Sequence, residues 1–257
     1  MSELGFSFGR IAAEYDDVRP DYDPEALRRA EEVLGLSAHS ACVVDLAAGS
    51  GKLTRPLARR FREVVAVEPN DAMRAVLAGR SAGIKVLAGT AERMPLPDDF
   101  ADAVFVGDAF HWFDGPAAVA ELERVLRPHG GVALLWNHWW SDGDDRMVDT
   151  LEPPLPAEAQ ARFDEVYFSS GRAAARAELA APVEAFAGAS FAPLVEEAFS
   201  RSTLVSRTEL VDLYATVSAV AALAPAERIE LKRAVLALLE PSYRLRITTV
   251  LHWTRRA

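Results

Sequence analysis

Between residues 41 and 137, short apolar runs alternate with stretches whose apolar side chains recur at helical spacing. No other feature of the chain constrains its fold as strongly. The runs ACVVDL (41–46), EVVAVE (63–68), IKVLAG (84–89), ADAVFVG (101–107) and GVALLWN (131–137) each have the length of a buried strand. The spacing predicts a helix over 52–62, with Leu53, Leu57 and Phe61 on one face and Pro56 near its first turn. Asn70-Asp71 opens another with Met73, Val76 and Leu77, and Asp114 with Pro116 opens a third with Val119, Leu122, Val125 and Leu126. Earlier, Asp23-Pro24 reads as an N-cap and first-turn proline ahead of Leu27, Ala30, Val33 and Leu34, with Gly35 as the stop. Strands joined through helices run parallel and are covered on both faces, so an α/β sheet is expected.

The rhythm breaks after Asn137. Prolines 153, 154 and 156 precede an Ala/Glu/Arg-rich helical stretch over 157–181. A sixth strand is expected near 194–205, helices over 208–218 and 225–240, and a last, antiparallel strand over 243–256. The expected organisation is a core with an N-terminal cover segment (1–137), a helical cap insertion (138–190), and C-terminal strands (191–257) carrying inserted helices over 206–242.

Half of the 257 residues are hydrophobic, enough for a sizeable core, and the net charge of −10 argues against a nucleic-acid partner. Cys42 is the single cysteine, which excludes disulfide scaffolding and suits a reducing compartment. No run approaches the ~20 apolar residues of a membrane span, and MSELGFSFGR lacks the apolar core of a signal peptide. A cytoplasmic protein without a membrane partner is expected; the oligomeric state is left open. The five histidines form no i, i+4 pair, and Asp142, Asp144 and Asp145 lack the closing glutamate of a calcium loop, so no metal is expected.

The stretch VVDLAAGSGKLT (43–54) points to a ligand on a glycine-rich turn. A phosphate-binding P-loop needs a glycine where Leu46 stands and a hydroxyl where Leu53 follows Lys52. A dinucleotide fingerprint needs a third glycine where Thr54 stands, and a hydrolase elbow needs its serine spaced from the glycines that flank Ser50 directly. What remains is Asp45-x-Ala47-x-Gly49-x-Gly51, an acid followed by small residues at every second position. Small residues let the backbone approach a ligand, and amides at the helix start can meet its carboxylate. Asp45 would answer an ammonium group, where a pyrophosphate would be repelled. Glu68, nineteen positions after Gly49, can accept hydrogen bonds from both hydroxyls of a ribose.

At these residues the chain resembles class I S-adenosylmethionine-dependent methyltransferases. The likeness runs through D-L-A-A-G-S-G (45–51), V-A-V-E-P-N (65–70), G-T-A-E-R-M-P-L-P (89–97), D-A-F-H-W-F-D (108–114) and L-R-P-H-G-G (126–131). Together with A-x-x-Y-x-x-x-R-P-x-Y (12–22), it is similar to the small-molecule branch that includes trans-aconitate methyltransferase-like enzymes. Ala47 departs from that pattern by replacing the usual first glycine, and Asp23 by standing where a proline is common. The resemblance implies a Rossmann-like, doubly wound, mainly parallel seven-stranded sheet with an antiparallel last strand and a helical cap. It implies S-adenosylmethionine as cofactor, S-adenosylhomocysteine as product and a small-molecule acceptor. Cofactor contacts would come from Tyr15, Arg19, Asp45, Ala47, Gly49, Gly51, Glu68, Pro69, Ala91, Glu92, Asp108, Ala109 and His111.

His111 and Asp108 are the candidate catalytic residues, at the mouth where the fourth strand opens. Against a base role, a sulfonium is already electrophilic and alignment can suffice; His111 would then only shape the pocket. Trp112, His138, Trp139 and Trp140 are expected in the acceptor pocket, although Trp139 and Trp140 would serve equally as plain anchors of the cap. Arg19 suits an acceptor carboxylate or a structural ion pair. An NAD-linked oxidoreductase and a non-catalytic cofactor-binding protein are the competing classes.

Overall fold

The computed structural model describes residues 11–139, 150–169 and 182–257. Helix α1 (Ala12–Val18) and α2 (Pro24–Val33) lead into β1 (Cys42–Leu46), α3 (Thr54–Arg60), β2 (Glu63–Val67), α4 (Asp71–Arg80), β3 (Lys85–Leu87) and β4 (Ala101–Gly107). A single 3-10 turn (Phe110–Trp112) precedes α5 (Gly115–Val125) and β5 (Leu126–His138). Then follow β6 (Leu151–Glu152), α6 (Ala157–Ser169), α7 (Pro182–Ala185), β7 (Val195–Ser206), α8 (Arg207–Tyr214), α9 (Ser218–Ala221), α10 (Pro225–Leu236) and β8 (Ser242–Arg255).

The caps form where side-chain chemistry supplies acceptors. Asp23 accepts from the Glu25 amide at 2.8 Å, Asn70 from Ala72 and Met73, and Asp114 from Ala117. Pro56 falls in the first turn of α3, where its missing N–H costs no helical bond.

The strands form one sheet in the order β3-β2-β1-β4-β5-β8, with β1 to β5 parallel and β8 antiparallel to β5. β7 pairs along the outer edge of β8, and the two-residue β6 continues β5's edge of it. Seven strands were expected, and β6 is the eighth. The chain reverses its winding between β1 and β4, which opens a crevice at their carboxyl ends.

Alternate strand residues face opposite layers. Val44, Val104, Val106, Val132 and Leu134 pack with α5, while Val43, Ala103, Phe105, Ala133 and Leu135 pack with α2 and α3. A third core joins Trp139, Phe163, Leu210, Tyr214, Val235 and Tyr243, which gives α6, α8, α10 and the start of β8 an interior of their own.

β5 starts five residues before the expected run. Leu126 pairs with Ala101 and Gly131 with Ala103, so 127–130 bulge out of the ladder while the strand resumes in register. The expected helix over 208–218 is two pieces, α8 and α9. Among the described residues no helix is long and apolar enough to cross a membrane. Trp140 and the acidic residues Asp142, Asp144 and Asp145 lie outside the described residues.

Candidate active site

β1 delivers Asp45 to the crevice in a dry setting, 1% exposed. Its Oδ2 accepts from Thr54 Oγ1 at 2.5 Å, and its Oδ1 is buried with no hydrogen-bond partner among the described residues. Burial pushes its carboxyl up to about 7; the Thr54 hydroxyl opposes that shift and the neighbouring Glu68 charge adds to it. A buried acceptor left unsatisfied costs free energy, and an incoming cationic donor would remove that cost.

Glu68 follows β2 and is 4% exposed. Its two oxygens accept from the Gly49 amide at 2.9 Å and the Asn70 amide at 2.8 Å. Burial raises its pKa against those two amides. Both carboxylates thus hold the loop between β1 and α3, Asp45 at Thr54 and Glu68 at Gly49. Within that loop Ala47, Gly49 and Gly51 have φ of 55°, 57° and 92°. At Gly51 a Cβ would also come 3.1 Å from Leu77 and Arg55, so glycine is required there on two counts. Pro69 presents its carbonyl to Arg74 at 2.7 Å.

The β4 tip forms the opposite wall. Asp108 adopts φ 49° and is held at both oxygens, by the Tyr22 hydroxyl at 3.0 Å and the Asn137 amide at 3.1 Å. Burial raises its pKa, while Arg19, the Asn137 amide and Tyr22 pull it back. Gly107 is obligatory because a Cβ there would collide with the Tyr22 hydroxyl. Asn137 in turn donates to the Pro20 carbonyl and accepts from Thr249, which receives the Asp23 amide. The Pro20-to-Asp23 turn is therefore fastened across the tips of β4 and β5 and the middle of β8.

The Arg19 guanidinium carbon lies over both the Tyr15 and Trp139 rings, 4.8 and 4.7 Å from their centroids. Its Nε and Nη2 donate to Thr216 Oγ1 and O at 2.8 and 2.9 Å. His111 Nδ1 accepts from the Trp136 indole at 3.4 Å. Ala91 and Ala109 are buried in the core beneath α5, and Glu92 accepts from the Asp114 amide at the start of that helix.

The fold brings together the loop residues, Glu68, Asp108, Tyr15 and Arg19. Two expected pocket residues sit differently. Trp139 is 3% exposed in the cap core, edge-on to Tyr214 at 5.9 Å, which makes it an anchor. Trp112 packs partly buried against the main core. His138 ends β5, half-buried, opposite Thr248.

Sequence reasoning missed Asp16, Thr54, Asn137 and Thr216, all polar residues at x positions or helix ends. Asp16 and Tyr22 lay inside the A-x-x-Y-x-x-x-R-P-x-Y stretch, which was the only signal available.

A doubly wound sheet, paired acids at neighbouring strand tips and a loop of three left-handed small residues agree with what the resemblance to class I methyltransferases implies. Residues 44–134 match the family model described as a methyltransferase domain. The chain is 43% identical over 135 residues to an uncharacterized methyltransferase of Mycobacterium tuberculosis, covering 52% of this chain and 54% of that protein. It is 36% identical over 132 residues to a malonyl-[acyl-carrier protein] O-methyltransferase of Halorhodospira halophila, covering 49% of this chain and 45% of that protein. The matched stretch thus spans about half the length of these relatives. In fold, it superposes on the structure of a putative type II methyltransferase from Anaeromyxobacter dehalogenans with a TM-score of 0.59, at 24% identity over 92% of this chain and 97% of that one.

Replacing Glu68 by alanine strips the Gly49 and Asn70 amides of their shared acceptor as well as any ribose contact. Glu68→Ala is expected to weaken S-adenosylmethionine binding by about 1–3 kcal/mol in calorimetry. Unchanged affinity would refute the assignment.

Proposed function

We propose that this protein is an S-adenosylmethionine-dependent methyltransferase acting on a small acceptor, in the first instance a carboxylic acid. The observation that carries this reading is the pair of buried acids at adjacent strand tips, one of them with an oxygen lacking any partner among the described residues. Asp45 suits the ammonium end of an aminoacyl nucleoside and Glu68 its ribose; Ala91 and Glu92 suit the adenine. When bound, the cofactor supplies a methyl group on an electrophilic sulfonium. The chain's own task is then to align an acceptor oxygen and keep water out.

The mouth of the crevice favours an acceptor that needs no base. Both oxygens of Asp108 are engaged, and the His111 Nδ1 lone pair is taken by the Trp136 indole. A carboxylate is already a nucleophile at neutral pH. Arg19, preset by Thr216 and two rings, offers it a cation. The named activity of the Halorhodospira relative is compatible with such chemistry, as is the trans-aconitate-like branch suggested by the motifs. The division of labour follows: residues 1–137 hold the cofactor, while the cap at 138–190 and 206–242 selects the acceptor.

Thermal unfolding in the presence of S-adenosylmethionine, S-adenosylhomocysteine and NAD is the first test. A ligand at a hundred times its Kd stabilises by about 2.7 kcal/mol, or roughly 5–10 °C in a chain of this size. The two sulfur nucleosides are expected to give that shift. Stabilisation by NAD alone would overturn the reading. Transfer of labelled methyl to a panel of small carboxylic acids then tests the acceptor class, and label appearing only in amines would reject it.

A further inference from the structure

Helix α1 is fastened by charged side chains to both working parts of the molecule. On its inner face Asp16, 4% exposed, accepts from Ser50 Oγ at 2.8 Å, Arg55 Nη2 at 2.6 Å and Arg80 Nη1 at 2.5 Å. Ser50 stands between the two left-handed glycines of the cofactor loop, and Arg55 also donates Nη1 to the Ser50 carbonyl at 2.9 Å. Side chain and carbonyl of the loop's central residue are thereby tied to one carboxylate–guanidinium pair. Arg55 belongs to α3 and Arg80 to α4, so this single acid gathers the helices that follow β1 and β2.

Two residues before Asp16 on α1, on a different face, Glu14 pairs with Arg228 at 2.5 Å and Lys232 at 3.6 Å, both on α10. Lys232 continues to Asp212 on α8 at 2.6 Å. Arg19, just past the helix, is bonded to Thr216 between α8 and α9. A helix of seven residues is too short to bend, so its two faces move as one body.

We infer that Asp16 is a positioning residue: it sets the cofactor loop through Ser50 and, by way of α1, couples the order of that loop to the order of the cap. This rests on the methyltransferase reading above. Burial works against the Asp16 charge, but Arg55, Ser50 and Arg80 outweigh it and hold the carboxyl below its ordinary range. Arg80 is shared with Asp17, and among the described residues no other charged group is bonded to Asp16. A fold-stabilising acid alone would lower stability without altering how the cap answers a ligand at the loop.

Amide hydrogen exchange, with and without saturating S-adenosylhomocysteine, separates the two roles. In the unaltered chain the nucleoside is expected to slow exchange at least fivefold both in the loop (47–54) and in α8 and α10. Asp16→Asn is expected to bind it about tenfold more weakly and, at saturation, to protect the loop while the cap stays unprotected. Glu14→Gln, altered only on the cap side, is expected to bind within twofold of wild type and to lose cap protection; it carries the test if Asp16→Asn does not fold. Cap protection equal to wild type in either variant overturns the inference. So does a wild-type cap that ignores the bound nucleoside, and that result leaves the methyltransferase reading intact. Absence of nucleoside binding to wild type removes both.

Discussion

Asp45→Asn is expected to make the protein more stable at pH 8 and nearly unable to bind S-adenosylmethionine. The wild-type carboxyl is buried, with one oxygen bonded to Thr54 and the other unsatisfied among the described residues, and its pKa is pushed up to about 7. A carboxyl whose folded pKa lies above its unfolded value of about 4 costs nothing below pH 4. As pH rises towards and past 7 the unfolded chain ionises freely, while the folded one must either keep a proton or bury a charge. The wild-type chain therefore loses stability from this group between about pH 4 and 7. Asparagine keeps the Thr54 bond and carries no charge. A gain of about 1–3 kcal/mol at pH 8, or roughly 2–9 °C in Tm, is expected, shrinking towards zero near pH 4. Cofactor affinity should fall by about 2–5 kcal/mol, the usual cost of deleting one partner of a buried charge pair. A variant less stable than wild type at pH 8, or one that binds normally, would remove Asp45 from its role. Such opposition between stability and binding is expected wherever a site is held ready for a charge it does not yet contain.

Trp139→Ala is expected to cost about 3–5 kcal/mol in urea denaturation. The ring is 3% exposed among Phe163, Tyr214 and Val235 and carries the Arg19 guanidinium on its face. Its removal empties the centre of the cap core and frees Arg19 on one side. Exchange of α8 and α10 should rise more than that of the main sheet, because those helices share its core. Were Trp139 a wall of the acceptor pocket, truncation would change stability by less than about 1 kcal/mol and turnover by more. The two outcomes are far enough apart for one denaturation curve to choose between them.

Strand positions were readable because a parallel sheet buried on both faces demands continuous apolar runs of strand length, and the runs at 41–46, 63–68 and 101–107 supply them. The helix starts at Asp23, Asn70 and Asp114 were equally plain, since a cap is a local bond between neighbours. The bulge at 127–130 was hidden: its proline and glycine look like a loop, and only the pairing of the flanking Leu126 and Gly131 with Ala101 and Ala103 makes them part of a strand. Trp139 was undecided for a related reason. A tryptophan after a strand packs wherever the cap provides a cavity, and the residues forming that cavity lie from about twenty positions away, at Phe163, to more than seventy, at Leu210 and Tyr214.

Local chemistry in the chain thus determined the sheet, the glycine-rich turn and the identity of its two acids, because spacing, propensity and capping act between near neighbours. Which polar groups meet was decided by tertiary structure alone. Asp16 finds Ser50, Arg55 and Arg80, Asp108 finds Tyr22 and Asn137, and Arg19 finds Thr216, across separations from about thirty to nearly two hundred residues. Such contacts leave no periodic trace in the sequence. They exist because a doubly wound sheet brings distant strand tips to one edge, where each buried charge must find a partner or remain unsatisfied.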